Sequence, residues 1–329
     1  MPYIRILLLL FVYLILSDNA ARSQNQPTKS PPFTLTWIEG KCKHCKIARQ
    51  LAEIQFVSKT EAWAVGFLWP YHGQGSGDYV MVHTTDGGIT WKEFAASGMH
   101  AEAPTFSFLD AQRGWVSSMA SGDWAIRQTE DGGHHWKVLS DNGIRISQFF
   151  SASQGYGVSS CKSEVACFFR TLNGGRNWEE SALPNFKYAD KTFFLNPQTG
   201  WISGKTQDDT ELVLRTTDAG KTWEACILNA GPDIAEVRDL FFLDAQRGWL
   251  ITWAFNDGGT RLFHTMDGGK SWRANSDDTF QGNRKWLSTV RFINEKAGFA
   301  FNSVDTGDHG VDSQGESGLW LVKVHPSSH

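Results

Sequence analysis

Apolar and polar positions alternate along this chain in short runs, and the same kind of run keeps returning. YVMVH, WAIRQ, ACFFR, LVLR and RLFH each stand just before a Gly-rich polar stretch, and KEFAA, KVLS and EACIL each follow one. Short runs rich in β-branched and aromatic residues, bounded by Gly, Asp and Asn, predict strands joined by tight turns. The pattern is therefore one of many short strands.

The runs are organised by a repeat. FLDAQRGW occurs twice, at residues 108–115 and 242–249. Aligned on the closing aromatic, six segments fall into register: FVSKTEAW ending at Trp63, FLDAQRGW at Trp115, FFSASQGY at Tyr156, FLNPQTGW at Trp201, FLDAQRGW at Trp249 and FINEKAGF at Phe299. Seven residues before each aromatic stands a Phe: Phe56, Phe108, Phe149, Phe194, Phe242 and Phe292. Immediately before each aromatic stands Gly or Ala. The spacings are 52, 41, 45, 48 and 50 residues, so the identical octapeptides lie three repeat units apart.

A second pattern runs beside the first: TTDGGITW (84–91), TEDGGHHW (129–136), TLNGGRNW (171–178), TTDAGKTW (216–223) and TMDGGKSW (265–272). Turn chemistry explains its residues. The acid or amide (Asp86, Asp131, Asn173, Asp218, Asp267) accepts backbone N–H groups further on. Gly takes a backbone shape that a Cβ resists. The Trp (Trp91, Trp136, Trp178, Trp223, Trp272) folds back on the neighbouring strand and buries apolar area. This reads as a self-contained hairpin staple. Most of the 15 Trp residues fall in the two repeated positions, so they read as scaffold rather than binding surface.

Each repeat predicts four short strands, and such units in series predict a β-propeller. The sixth repeat lacks its own box. LTWIE (35–39) carries the Thr-Trp that opens a post-box strand, so the N-terminal strand is expected to complete the last blade and leave no open edge. The expected fold is all-β: a six-bladed β-propeller of four-stranded antiparallel blades in a single domain, 34–329. The blades are expected at about 51–97, 102–141, 143–183, 188–230, 236–276 and 286–325 plus 34–39.

Before the repeats, Arg5, the apolar run 6–16 and a small-residue exit read as a cleavable signal peptide over 1–23, followed by a linker at 24–33. The chain is thus expected in the periplasm or outside the cell, as a soluble monomer, since no later apolar run is long enough to span a bilayer. Net charge is −4 and no Lys/Arg block stands out, which argues against a nucleic-acid partner. Five cysteines in an exported chain suggest disulfides. Cys42 and Cys45 (CKHC) pair over a small loop in the simplest reading, Cys161 and Cys167 close a hairpin, and Cys226 is left as a buried thiol. CKHCK also resembles the opening of a thioredoxin-type helix, without the βαβ context that chemistry needs.

The boxes resemble the Asp-box, or BNR, pattern (S/T)-x-(D/N)-x-G-x-(S/T)-W, matched by Thr84, Asp86, Gly88, Thr90 and Trp91 and departed from at His135 and Asn177. The strands RGWVSS, TGWISG and EAWAVG resemble those of the photosystem II stability/assembly factor propellers and their relatives in non-photosynthetic bacteria. Those propellers usually have seven blades, where this chain counts six repeats. The resemblance implies a non-catalytic scaffold that binds a protein partner in the envelope or extracellular space. A more distant resemblance, to sialidase-like propellers, implies the alternative of a carbohydrate-active protein: a glycoside hydrolase or a lectin-like glycan binder. A sialidase needs an Arg cluster for the substrate carboxylate. Its Arg-Ile-Pro is absent here; GIRIS (143–147) lacks the Pro, and the mature chain has only Tyr71, Tyr79, Tyr156 and Tyr188.

Variable loops on a regular scaffold are where function concentrates. FLWPYHGQGSGD (67–78) places Trp69, Tyr71 and His72 outside the repeat, where they suit a sugar face or an apolar side chain, or else pack on their own blade. The acidic loop 302–318, with Asp305, Asp308, Asp312 and Glu316, has oxygen ligands that suit Ca²⁺. Its spacing matches no known calcium loop, and a solvated loop is the simpler reading. Glu53, Arg145, Lys191, Arg238, Asp239 and Arg291 form a third group at the inner strands, facing an acidic peptide or pairing with one another. No cofactor and no metal are expected, and the box acids are turn residues rather than catalysts.

Overall fold

The computed structural model describes residues 33–326 except 41–49, 59, 69–77, 87–91, 95–104, 121–122, 162–164, 227, 229–233, 255–259, 275–286, 295–296 and 303–318, and for some strand residues it describes the backbone alone. The expected signal peptide, Cys42, Cys45, Trp69, Tyr71, His72, Trp91 and the acidic loop from 303 lie outside the described residues.

Among the described residues every regular element is a strand, and the strands form six four-stranded sheets. After β1 (Phe33–Gly40) the first sheet holds β2 (Gln50–Phe56), β3 (Ala62–Leu68), β4 (Asp78–Thr84) and β5 (Lys92–Phe94). The second holds β6 (Thr105–Phe108), β7 (Gly114–Ala120), β8 (Asp123–Thr129) and β9 (Lys137–Ser140). The third is β10 (Arg145–Phe149), β11 (Gly155–Ser160), β12 (Ala166–Thr171) and β13 (Glu179–Ala182). The fourth is β14 (Phe186–Phe194), β15 (Gly200–Thr206), β16 (Glu211–Thr216) and β17 (Glu224–Cys226). The fifth is β18 (Ile234–Phe242), β19 (Gly248–Ala254), β20 (Thr260–Thr265) and β21 (Arg273–Ala274). The sixth runs β22 (Leu287–Asn294), β23 (Ala297–Asn302), β24 (Leu319–Pro326) and then β1, which pairs antiparallel with β24 from Phe33↔Pro326 to Gly40↔Leu319.

The repeated octapeptide is the turn between the first two strands of a sheet. Asp110 Oδ1 accepts the N–H groups of Gln112 at 2.8 Å and Arg113 at 2.7 Å; Asp244 Oδ1 accepts those of Gln246 at 2.9 Å and Arg247 at 2.8 Å. Identical residues thus build identical turns in the second and fifth sheets. Asn196 and Ser151 take the acid's place in FLNPQTGW and FFSASQGY. The Phe and the small residue are cross-strand partners, Phe108↔Gly114 and Phe242↔Gly248. The ring lies over the glycine: a Cβ added at Gly114 would stand 2.3 Å from Phe108, at Gly200 2.1 Å from Phe194, and at Gly248 2.5 Å from Phe242.

In the boxes, the Thr hydroxyl donates to the acid or amide oxygen two residues on, at 2.8–3.1 Å. In the last four boxes it also accepts the N–H of Gly133, Gly175, Gly220 or Gly269 at 2.9 Å. The preceding N–H donates to the octapeptide turn of the same sheet: Gly132 to Gln112 O, Gly174 to Ser153 O, Ala219 to Gln198 O and Gly268 to Gln246 O, at 2.8–3.0 Å. The box is therefore half of a docked pair of turns, not the free-standing staple that its residues suggest. Its Trp meets the inner-strand Phe edge-on, as in Trp178–Phe149 at 6.1 Å and Trp272–Phe242 at 5.8 Å.

The departure at His135 has a physical reason. In the regular boxes Thr222 and Ser271 donate their hydroxyls to the second carboxylate oxygen of Asp218 and Asp267 at 2.6 Å. His135 Nδ1 takes the same place on Asp131 Oδ2 at 2.5 Å. In the third box the amide Asn173 stands in the acid's place: its one oxygen serves Thr171 and the Asn177 N–H, and no second oxygen is there for a hydroxyl to meet.

Successive sheets are joined through the repeated aromatics. Trp63 stacks on Phe108 of the next sheet at 4.1 Å, Trp115 on Phe149 at 3.8 Å and Trp201 on Phe242 at 3.5 Å, each within 5° of parallel. Trp115 Nε1 donates to Gly174 O and Trp201 Nε1 to Gly268 O, both at 2.9 Å, and both acceptors are box carbonyls of the following sheet. Tyr156 O–H reaches Pro197 O at 2.7 Å in the same sense. These rings are fully buried. First strands of successive sheets also pack on one another, β6 on β10, β10 on β14, β14 on β18 and β18 on β22. Sheets stacked face to face in chain order, with first strands together, are the arrangement of a β-propeller.

Candidate functional site

Antiparallel order puts the octapeptide turns and the boxes at one end of each sheet. The starts of the first strands, the ends of the second and the starts of the third therefore meet at the other end. Chemistry-bearing residues gather there, around bulges in the inner strands. The register shifts between Leu51 and Glu53, Ala189 and Lys191, Val237 and Asp239, and Leu287 and Thr289. The extra residues are Ala52, Asp190, Arg238 and Ser288, each four places before the repeat's Phe. A bulge re-aims a side chain that regular pleating would place elsewhere.

Arg145 starts β10 and donates through Nη2 to Ala189 O of the next sheet. Burial lowers its affinity for its proton, and the charge of Asp190 opposes that. Asp190 itself is pushed up to about 6, first by burial and then by Glu236, against Arg145, Lys191 and Lys205. Lys191 is exposed beside it. Arg238 Nε pairs with Glu236 Oε1 at 2.8 Å, and its guanidinium lies 5.0 Å from the ring centre of Trp253. Tyr188 is exposed on the same end. Glu236, Arg238 and Trp253 thus form a linked group, and Tyr188 and Lys191 lie at the same end of the neighbouring sheet; these five are taken together as a strip of mixed charge and aromatic character.

Two of the expected residues have a different place. Asp239 is buried, and its Oδ2 accepts the Val290 N–H at 2.8 Å and Arg291 Nη1 at 2.5 Å. Arg291 also donates to Val290 O at 2.7 Å and lies over Phe241. This pair ties β18 to β22. Glu53 lies on β2, and only its backbone is described. Cys161 and Cys167 form a disulfide across the β11–β12 connection, with Cα atoms 5.5 Å apart. Cys226 is buried and free, its thiol pushed up to about 11 by burial and the charge of Glu224.

Sequence reasoning missed Glu211, which opens β16. It is 9% exposed, and its Oε1 accepts the Val237 N–H from the next sheet at 3.2 Å. Burial first, then the Asp190 charge, push its carboxyl up to about 8. The available signal was the acid that opens the strand ELVLR, the last of three in DDTE.

Among the described residues no helix is long and apolar enough to cross a membrane. By sequence, no curated protein matches the chain. A family model described as the BNR/Asp-box repeat matches residues 82–93. Three solved structures are similar. YCF48 bound to a D1 peptide is 16% identical, with a TM-score of 0.48 over 92% of this chain and 100% of its own. A GH74 xyloglucanase from Xanthomonas campestris is 12% identical, with a TM-score of 0.53 over 79% of this chain and 45% of its own. A GH74 enzyme from Niastella koreensis is 13% identical, with a TM-score of 0.50 over 91% of this chain and 44% of its own. The chain spans less than half the length of these two enzymes, and at such identities the likeness concerns the fold. What the chain carries is the BNR/Asp-box repeat, set on the sheets of a β-propeller.

Proposed function

We propose that this is an exported, non-catalytic propeller of six blades, closed by β1, whose bulge end holds a protein partner. The observation that carries the reading is the strip Tyr188, Lys191, Glu236, Arg238 and Trp253. An Arg held over a Trp, beside a partly exposed ion pair, is a rigid polar–aromatic anchor of the kind that interfaces concentrate. Its neighbours are already committed: Arg145 to a backbone carbonyl, Asp239 to Arg291. The partner-facing role therefore falls to the exposed members.

A photo-crosslinking residue placed at Lys191 or at Arg238 is expected to trap one protein species from the envelope fraction. The same residue at Val138, exposed on an outer strand, should trap none of it. Equal yields at all three positions would remove the strip from the account. Export predicts that the purified mature chain begins at residue 24, which N-terminal sequencing reads directly.

A second reading, a carbohydrate-active propeller, is favoured by the two carboxyls of raised proton affinity, Asp190 and Glu211, since a general acid needs that property. Both bury an oxygen out of solvent reach, which places them behind the surface. Hydrolysis of xyloglucan or a sialoside by the pure protein, lost in Glu211→Gln, would establish this reading in place of the first.

A further inference from the structure

The seam between the fourth and fifth sheets contains a polar arrangement that the binding strip does not use. Glu211 projects from β16 and holds the Val237 N–H of β18 with Oε1. Its Oε2 is buried and meets no hydrogen-bond partner among the described residues; the same is true of Asp190 Oδ2, at the bulge of β14. Burial denies such an oxygen both water and a donor, which penalises the ionised form most, so the neutral acid is favoured. The Val237 N–H on Oε1 favours the carboxylate, but burial and the Asp190 charge outweigh it; a proton on Oε2 cancels the charge and leaves Oε1 free to keep Val237. Two carboxyls make no metal cage, and among the described residues no group of three or more His, Cys, Asp or Glu stands close enough to hold an ion.

We propose that Asp190 and Glu211 are a proton-binding pair that acts as a latch between these sheets, closed while Glu211 is neutral and loosened when it ionises. The charged groups acting on the pair are Lys191 on Asp190's own strand β14, Lys205 opposite Glu211 on β15, Glu236 on β18 and Arg145 on β10, with Asp208 and Asp209 in the turn that leads into β16 and Arg238 held by Glu236. Glu236 raises both proton affinities, Lys205 lowers both, and Arg145 and Lys191 lower that of Asp190. Both acids keep protons in the folded chain that the unfolded chain gives up. Stability from the pair is therefore full below the ordinary carboxyl range, and it is lost as pH rises through about 6 and then about 8.

The experiment is thermal unfolding of the full mature chain against pH, with carboxyl ¹³C NMR of the same protein. The melting temperature of the wild type should fall between about pH 5 and about pH 8, and Glu211→Gln, which keeps an acceptor for Val237 but never charges, should remove more than half of that fall. Asp190→Asn should move the Glu211 titration downward, because it deletes the neighbouring charge. An unchanged pH slope in Glu211→Gln overturns the latch. So does a Glu211 carbon that titrates in the ordinary carboxylate range, a reading that needs only the wild type and decides the matter if a variant fails to fold. Neither measurement involves a partner, so the latch and the binding strip fail separately.

Discussion

Gly248 shows how little freedom a repeated position leaves. Its partner Phe242 fills the space where a side chain would begin. Gly248→Ala is expected to cost about 1–3 kcal/mol through overpacking, measured by urea unfolding, with partial recovery when Phe242 is trimmed to Leu. Ala219 makes the opposite case. It sits at φ 67° where all four sister boxes carry Gly, so Ala219→Gly should raise stability by up to about 1 kcal/mol. No gain would mean that the methyl group's packing against the core outweighs the strain. The small residue before each aromatic was legible in the sequence, and so was the Phe before it. That one lies on the other was not, because contact depends on register, and register depends on a turn whose geometry no single residue announces.

At the scale of elements, the joints between sheets have a direction: an aromatic of one sheet reaches the Phe and the box, or the turn, of the next. Trp201→Phe keeps a ring for stacking but loses the bond to Gly268 O, and should cost about 1–2 kcal/mol. The loss should appear as faster hydrogen exchange at the box of the fifth sheet. If exchange changes in the fourth sheet alone, the joint is not where the coupling lies. Removing the Cys161–Cys167 bond by Cys→Ser changes should cost about 2 kcal/mol, the value for so short a loop, in a non-reducing melt. The charges at the starts of the inner strands were legible because they recur near a marked Phe. Asp190 and Glu211 were not, since one depends on a bulge and the other on a neighbour two strands and one sheet away. Arg145, Lys191, Arg238, Asp239 and Arg291 looked alike in the sequence; burial separates them into ties and exposed surface.

For the whole molecule, four strands per repeat and the serial order of sheets follow from the spacing of two motifs, which is why the architecture could be read before any coordinate. The pairing of β1 with β24 carries a consequence of its own. Deleting residues 1–40 should bare the β24 edge, and an unpaired edge invites another chain. Light scattering should then show dimers or larger species where the full chain gives a single mass. Because Phe33 faces Pro326, the two ends of the described chain lie side by side on this sheet. A pull applied to them opens that ladder rung by rung instead of shearing it, so the sixth sheet is where mechanical load enters first. Synthesis meets the same geometry in time: β1 emerges from the ribosome long before β24, its partner, is made.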